Sequence, residues 1–165
     1  MQDGLIVLFL QHLLNGLLAG AYYLLIALGL SLIFSLGGIV NLAHGAFYAI
    51  GAYLALSIGN HLGFTSAAIL SPLVVGCLGV VIERVLFRRF YKSDPALSLL
   101  LTFGLAMVAE QLLRMVFGAA PLSWSIPPEL RGQIFIGDFV YPRYRLLILS
   151  VAVSVSYTHL RAHET

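Results

Sequence analysis

The sequence predicts an all-α membrane protein: a polytopic transmembrane helical bundle with four full spans and a truncated fifth. Three observations predict it. Hydrophobic residues make up 60% of the chain and charged residues 10%, against roughly 45–50% and about 25% in soluble domains. Mean hydropathy is +0.97. From Leu5 to Ile82 there is no Asp, Glu, Lys or Arg. No soluble fold of this size keeps so long a run away from water, whereas a bilayer accepts helices of about 20 apolar residues.

The remaining bulk features exclude other classes. The formal net charge is only +2, and the basic residues cluster near segment ends, which suits membrane orientation better than nucleic-acid binding. Cys77 is the single cysteine, so neither an intrachain disulfide nor a cysteine metal site can be built, and it reads as a small packing residue. The N-terminus starts Met1-Gln2-Asp3 without a basic region, and its apolar run outlasts a signal-peptide core. It is expected to be retained.

Leu5–Leu36 is the first apolar run. Gln11, His12 and Asn15 interrupt its beginning, which predicts an interfacial turn over about Leu5–Leu14 and a span over about Asn15–Phe34. Gly16 and Gly20 form a Gly-x-x-x-Gly pair, continued by Ala27, at the spacing that lets a second helix approach closely. Gly37-Gly38 then breaks the helix. The stretch Gly37-Gly38-Ile39-Val40-Asn41-Leu42-Ala43-His44-Gly45 is polar and glycine-rich between two oily segments. Asn41 and His44 carry donors and acceptors that hydrocarbon cannot satisfy, so protein, water or a ligand must.

A second span is expected over about Leu42–Ile58, with Gly45, Ala49, Ala52 and Gly59 as small residues at helical spacing. After a turn at Asn60–Thr65, a third covers about Ser66–Val85, with Pro72 inside it. Glu83, Arg84, Arg88, Arg89 and Lys92 follow. By the positive-inside rule this end is cytoplasmic, which puts Met1 on the periplasmic side and the Asn41–Gly45 junction near the cytoplasmic face. A tight turn at Ser93–Pro95 leads into a fourth span, about Ala96–Phe117. Its Glu110 and Arg114 stand four residues apart and can form an ion pair within the membrane.

Gly118–Arg145 is the one soluble-looking stretch, broken by Pro121, Pro127, Pro128 and Pro142. Ile134, Ile136, Phe139 and Tyr141 alternate weakly as a short strand or hairpin, and Trp124, Tyr141 and Tyr144 suit an interface belt. Leu146–Val155 begins a fifth span too short to finish. Residues 156–165 read as a non-native tail, and residues 1–155 as part of a transmembrane domain; His159 and His163 in that tail are not taken as a metal site. The chain carries no phosphate-binding P-loop, no His-Glu-x-x-His and no Gly-x-Ser-x-Gly.

At Asn41-Leu42-Ala43-His44-Gly45, followed by Tyr48, Gly51, Ala52 and Tyr53, the chain resembles the LivH-type permease of branched-chain (hydrophobic) amino-acid ABC importers. Asn15-Gly16, Ala21-Tyr22-Tyr23, Ala27-Leu28-Gly29 and Ile82-Glu83-Arg84 support the resemblance, which covers about Leu10–Leu149. It implies a multi-pass bacterial inner-membrane permease, not an enzyme. Its implied partners are a second homologous permease, two cytoplasmic ATPase subunits and a periplasmic substrate-binding protein. ATP is then used by the partners, and this chain binds no cofactor and no metal. Family members run to nearly twice this length, so the chain is expected to be an N-terminal half without the ATPase-coupling loop.

Within the resemblance, Gly37, Gly38, Asn41, His44 and Gly45 are the translocation-path or hinge candidates. Gly16, Gly20, Ala49 and Ala52 are the helix-packing candidates. A histidine satisfied by backbone carbonyls is the structural alternative for His44. The competing readings are a permease for urea or short amides, a passive channel or structural membrane protein, and an intramembrane enzyme using Asn41, His44 and Glu110. The last requires groups assigned to opposite membrane faces to meet.

Overall fold

The computed structural model describes residues 2–38, 40–90, 93–126, 128–136 and 139–163. Ile39, Lys92 of the basic cluster, Pro127 and the tail residues Glu164 and Thr165 lie outside the described residues, as does Met1, whose periplasmic placement was expected. Five helices and one hairpin follow in order: α1 (Gln2–Gly37), α2 (His44–Leu62), α3 (Phe64–Val85), α4 (Pro95–Phe117), β1 (Gln133–Ile136), β2 (Phe139–Pro142) and α5 (Arg143–His163). The chain divides into two compact units, Met1–Leu28 with Ser125–Thr165, and Gly29–Trp124.

Among the described residues, three stretches are long and apolar enough to cross a membrane: Gly4–Ser35, Phe64–Arg89 and Pro95–Phe117. At about 1.5 Å per residue, α3 and α4, with 22 and 23 residues, each match a hydrocarbon core of about 30 Å. The helix α2 is as continuous over its 19 residues but carries more polar and glycine positions.

In the unit Gly29–Trp124, α2 and α3 form a helical hairpin joined by Gly63 alone. Gly63 has φ +83° and ψ 171°, a region open essentially only to glycine, and its N–H reaches back to the Gly59 carbonyl at 3.1 Å. The expected turn over Asn60–Thr65 thus shrinks to one residue. Asn60 and His61 stay helical because the left-handed glycine reverses the chain without further loop. The helix α4 starts at Asp94, whose carboxylate accepts from the Ala96 N–H at 2.9 Å, with Pro95 in the first turn; the Ser93–Pro95 turn is where it was expected.

The buried positions of this unit are small: Ala43, Ala67 and Ala109 among the apolar residues, Asn41, Ser71, Ser98 and Thr102 among the polar ones. Large side chains such as Leu100, Met115 and Val116 lie outward. Membrane helices pack this way, because lipid tails solvate leucine as well as a protein core does and close backbone approach holds the helices together. Between α2 and α3 the approach is marked by Ser71 Oγ, which donates to the Gly51 carbonyl at 3.4 Å. Beyond α4 the loop folds back: Trp124 packs on Phe64, ring centroids 5.8 Å apart, and any Cβ at Gly59 would overlap its ring.

In the unit Met1–Leu28 with Ser125–Thr165, α1 is unbroken from Gln2, against the interfacial turn expected at Leu5–Leu14. Its polar residues find partners without leaving the helix. His12 Nδ1 lies 2.8 Å from the Leu8 carbonyl one turn back, and Gln11 Nε2 donates to the Val140 carbonyl of β2. The hairpin expected from the alternation is present: β1 and β2 pair antiparallel, Ile134 opposite Tyr141, and the Arg143 N–H closes its mouth on the Gly132 carbonyl at 3.1 Å. The helix α5 runs 21 residues to His163, past the end of the apolar run at Val155; its Ser150, Ser154, Ser156 and Thr158 each donate to the carbonyl four residues back, and α5 is not among the stretches long and apolar enough to cross a membrane.

Gly59→Leu is expected to expel Trp124, the single tryptophan of the chain. A red shift of its fluorescence in lipid nanodiscs checks this; unchanged emission would count against the packing.

Candidate functional site

The α1–α2 elbow is held together by its own polar atoms. The Gly38 N–H, at φ +65°, closes the end of α1 on the Phe34 carbonyl at 2.8 Å. Asn41 is buried, and its Oδ1 accepts from the Ala43 N–H at 3.0 Å, while its carbonyl accepts from the His44 N–H at 3.2 Å. This is the side-chain-mimics-backbone turn that asparagine forms best. The Phe47 N–H then bonds the Ala43 carbonyl at 3.0 Å, and α2 is under way.

Thr102 on α4 reaches the elbow from outside. It is 1% exposed, and its Oγ1 lies 3.0 Å from the Leu99 carbonyl and 3.4 Å from the Val40 carbonyl, a link across 62 residues. The His44 ring lies against the α1 backbone. A Cβ added at Gly29 would stand 2.6 Å from His44 Nε2 and 2.8 Å from Cε1, closer than real Cβ contacts come. Gly29 is therefore the floor on which the imidazole rests.

These groups open onto a cavity of about 680 Å³. Gly37, Asn41, His44, Glu83 and Thr102 supply its polar lining, with Ile33, Phe47, Val75, Gly79 and Phe87 between them. Ligand cavities have this character: mostly apolar, several hundred Å³, with a few convergent polar groups. Gly37, Asn41 and His44 all line this cavity. Gly38 lies at the elbow, and Gly45 faces elsewhere.

Gly45 and Ala49 line a second groove of about 410 Å³ between α2 and α4, together with Tyr53, Glu110 and Arg114. The expected ion pair is formed: Arg114 Nη2 and Nε donate to Glu110 Oε1 at 2.8 and 3.1 Å. Glu110 and the Asn41–His44 pair thus line different cavities, so the three residues of the enzyme reading form no common centre. Ala52 borders a shallow recess with Trp124. Around Gly16 and Gly20 nothing lies within 4 Å of an added Cβ. Among the described residues no group of three His, Cys, Asp or Glu side chains could hold a metal ion.

Sequence reading missed two features. Thr102 was passed over as one more residue of an apolar span, although Ser98, Thr102 and Ala109 fall at helical spacing and all three are buried. A cluster in the other unit was also missed. Asn15 Oδ1 accepts from the Tyr141 hydroxyl at 3.2 Å and from Arg145 Nη1, and Arg145 stacks about 6 Å from the Tyr141 and Tyr144 ring centroids. The Tyr144 hydroxyl, accepting from Arg145 Nε at 3.1 Å, holds the guanidinium above its ordinary pKa. This cluster bolts α1 to the hairpin, and no pattern in the sequence pairs residues that far apart.

Asn41→Ala removes the acceptor for a buried N–H and should cost about 1–2 kcal/mol, whereas Asn41→Asp keeps the acceptor and should cost less. Gly29→Val should be worse than either, since it displaces His44. Unfolding in mixed detergent micelles ranks the three.

The residues 12–161 match the family described as branched-chain amino acid transport system, permease component. The chain is 28% identical over 140 residues to the high-affinity branched-chain amino acid transport system permease protein BraD of Pseudomonas aeruginosa, covering 79% of this chain and 45% of that protein. It is 28% identical over 144 residues to the permease protein LivH of Salmonella typhimurium, with 79% and 45% covered, and 28% over 139 residues to LivH of Escherichia coli K12, with 78% and 44% covered. The chain thus spans less than half the length of these relatives. No solved structure matches it. With the match running from within α1 to the far end of α5, the chain belongs to the family of branched-chain amino acid transport permeases.

Proposed function

We propose that this chain is part of the membrane permease of an ATP-driven importer for branched-chain or other hydrophobic amino acids, and that the cavity at the α1–α2 elbow lies on its translocation path. The observation that carries the reading is that elbow. A buried Asn41, a His44 seated on bare backbone and a hydroxyl from α4 surround a largely apolar cavity of about 680 Å³, in a chain whose relatives are named as branched-chain amino acid permeases. An apolar wall suits an aliphatic side chain, and the polar groups suit the charged end that must pass it.

In this reading α2 crosses the membrane with α1, α3 and α4, and α5 begins a fifth crossing. Arg84 in the last turn of α3 and Arg88 and Arg89 just after it face the cytoplasm by the positive-inside rule, so the elbow lies toward the cytoplasm and the N-terminus toward the periplasm of a bacterial inner membrane. A second homologous permease, two cytoplasmic ATPases that use the ATP, and a periplasmic binding protein complete the assembly. Gly37 and Gly38 let α1 and α2 change their angle, with Asn41 and His44 setting the two positions.

The test is reconstitution of the uninterrupted permease with those partners in proteoliposomes. ATP-dependent accumulation of tritiated leucine is expected. Uptake of urea or of short amides in place of leucine, or leucine flux without ATP, would overturn the reading. His44→Ala should lower leucine uptake roughly tenfold, the equivalent of about 1.4 kcal/mol on the transport barrier, at an unchanged amount of assembled complex.

A further inference from the structure

The groove between α2 and α4 has a different character from the elbow cavity. Small residues of α2, Gly45, Ala46 and Ala49, form one wall, and Glu110 and Arg114 of α4 stand on the other. Both hydrogen bonds of the ion pair fall on Glu110 Oε1, so Oε2 and Arg114 Nη1 take no part in it. The two side chains are 64% and 55% exposed within the chain. Arg114 stands in the last turn of α4 and Glu110 about two turns from its end, on a helix of membrane-crossing length. Charged groups there turn toward the membrane–water interface or a wet groove, where a polar ligand can meet them, because lipid solvates neither sign.

We propose that Glu110 and Arg114 bind the charged end of an α-amino acid as it crosses the membrane. The chemistry matches on both sides. The ligand's ammonium donates to Glu110 Oε2, and its carboxylate accepts from the guanidinium protons that the ion pair leaves over, a fork geometry that arginine favours. The pair need not open, since zwitterion and ion pair close a ring of alternating charge. The small residues of α2 leave the aliphatic side chain room in the groove. The site thus recognises amino acids as a class, with a fixed polarity: ammonium toward Glu110, carboxylate toward Arg114. This assignment rests on the amino-acid reading given above.

The closing experiment separates the two. It uses the full assembled transporter in proteoliposomes and, without the binding protein, equilibrium binding of tritiated leucine to the purified membrane complex. Expected are measurable leucine binding and competition at least about tenfold weaker by isocaproate, isoamylamine and N-acetylleucine, each of which lacks one charge. Glu110→Gln and Arg114→Gln should each raise the KM for leucine about tenfold or more, and the doubly exchanged Glu110→Arg with Arg114→Glu should not restore it. Equal competition by the singly charged analogues, no leucine binding, or full recovery in the exchanged pair would overturn the site while leaving leucine import standing; recovery would mean that the pair only braces α4. Absence of leucine uptake by the unaltered transporter would instead sink the amino-acid reading. Should the variants fail to assemble, the analogue competition on the unaltered complex decides alone.

Discussion

A backbone amide buried away from water must find its partner within the protein, and the α1–α2 elbow is built around that constraint. Two helices meet there through residues that cannot be helical, so their N–H and C=O groups must be satisfied one by one. Gly38 turns back on Phe34, Asn41 serves Ala43 and His44 with its side chain and carbonyl, and Thr102 reaches the Val40 carbonyl. Asn41 and Thr102 thereby bring polar side chains into a buried position. The same groups that make the turn possible also line the cavity beside it, so the structural requirement and the candidate site share one origin.

The helices around the elbow follow from the second consequence of a lipid solvent. With no hydrophobic drive between spans, packing depends on how closely backbones approach. Alanine, serine and threonine are accordingly buried where a soluble bundle would bury leucine, and leucine, valine and methionine cover the outside. The bare backbone at Gly29 and Gly59 shows the same rule locally. A ring, His44 in one case and Trp124 in the other, occupies the space a side chain would fill. Their loss of freedom on folding is offset by a contact no other residue allows.

Much of this was legible in the sequence, for identifiable reasons. The charge-free run from Leu5 to Ile82 and the paired glycines at Gly37-Gly38 are strong signals, since they concern what lipid and helix geometry forbid. The Asp94-Pro95 start of α4, the alternation of the hairpin and the four-residue spacing of Glu110 and Arg114 are local rules, and local rules can be read from one chain. The errors had the opposite cause. Polar residues in α1 were taken as a break because the partners of Gln11 and Asn15, Val140 and Tyr141, are invisible before folding. Asn60–Thr65 was taken as a turn because its residues are turn formers, yet Gly63 reverses the chain alone. Thr102 and the Asn15–Tyr141–Arg145 cluster depend on contacts across 62 to 130 residues, which no spacing records.

The helix α2 connects the two cavities of its unit. His44 and Phe47 face the elbow cavity, while Gly45, Ala46 and Ala49 face the groove that holds Glu110 and Arg114. These residues alternate along the first turns of one rigid helix, so they cannot move independently. The helix α2 meets α4 through the Tyr53–Phe117 ring pair, centroids 4.7 Å apart, and under the proposed function a tilt of α2 about the elbow changes both cavities together. Under the proposed function that coupling is useful. A ligand held at the ion pair presses on the small-residue face of α2 and so acts on the elbow through the helix itself. The absence of large side chains at Gly45, Ala46 and Ala49 then has two effects: it leaves room for a ligand, and it leaves α2 room to tilt.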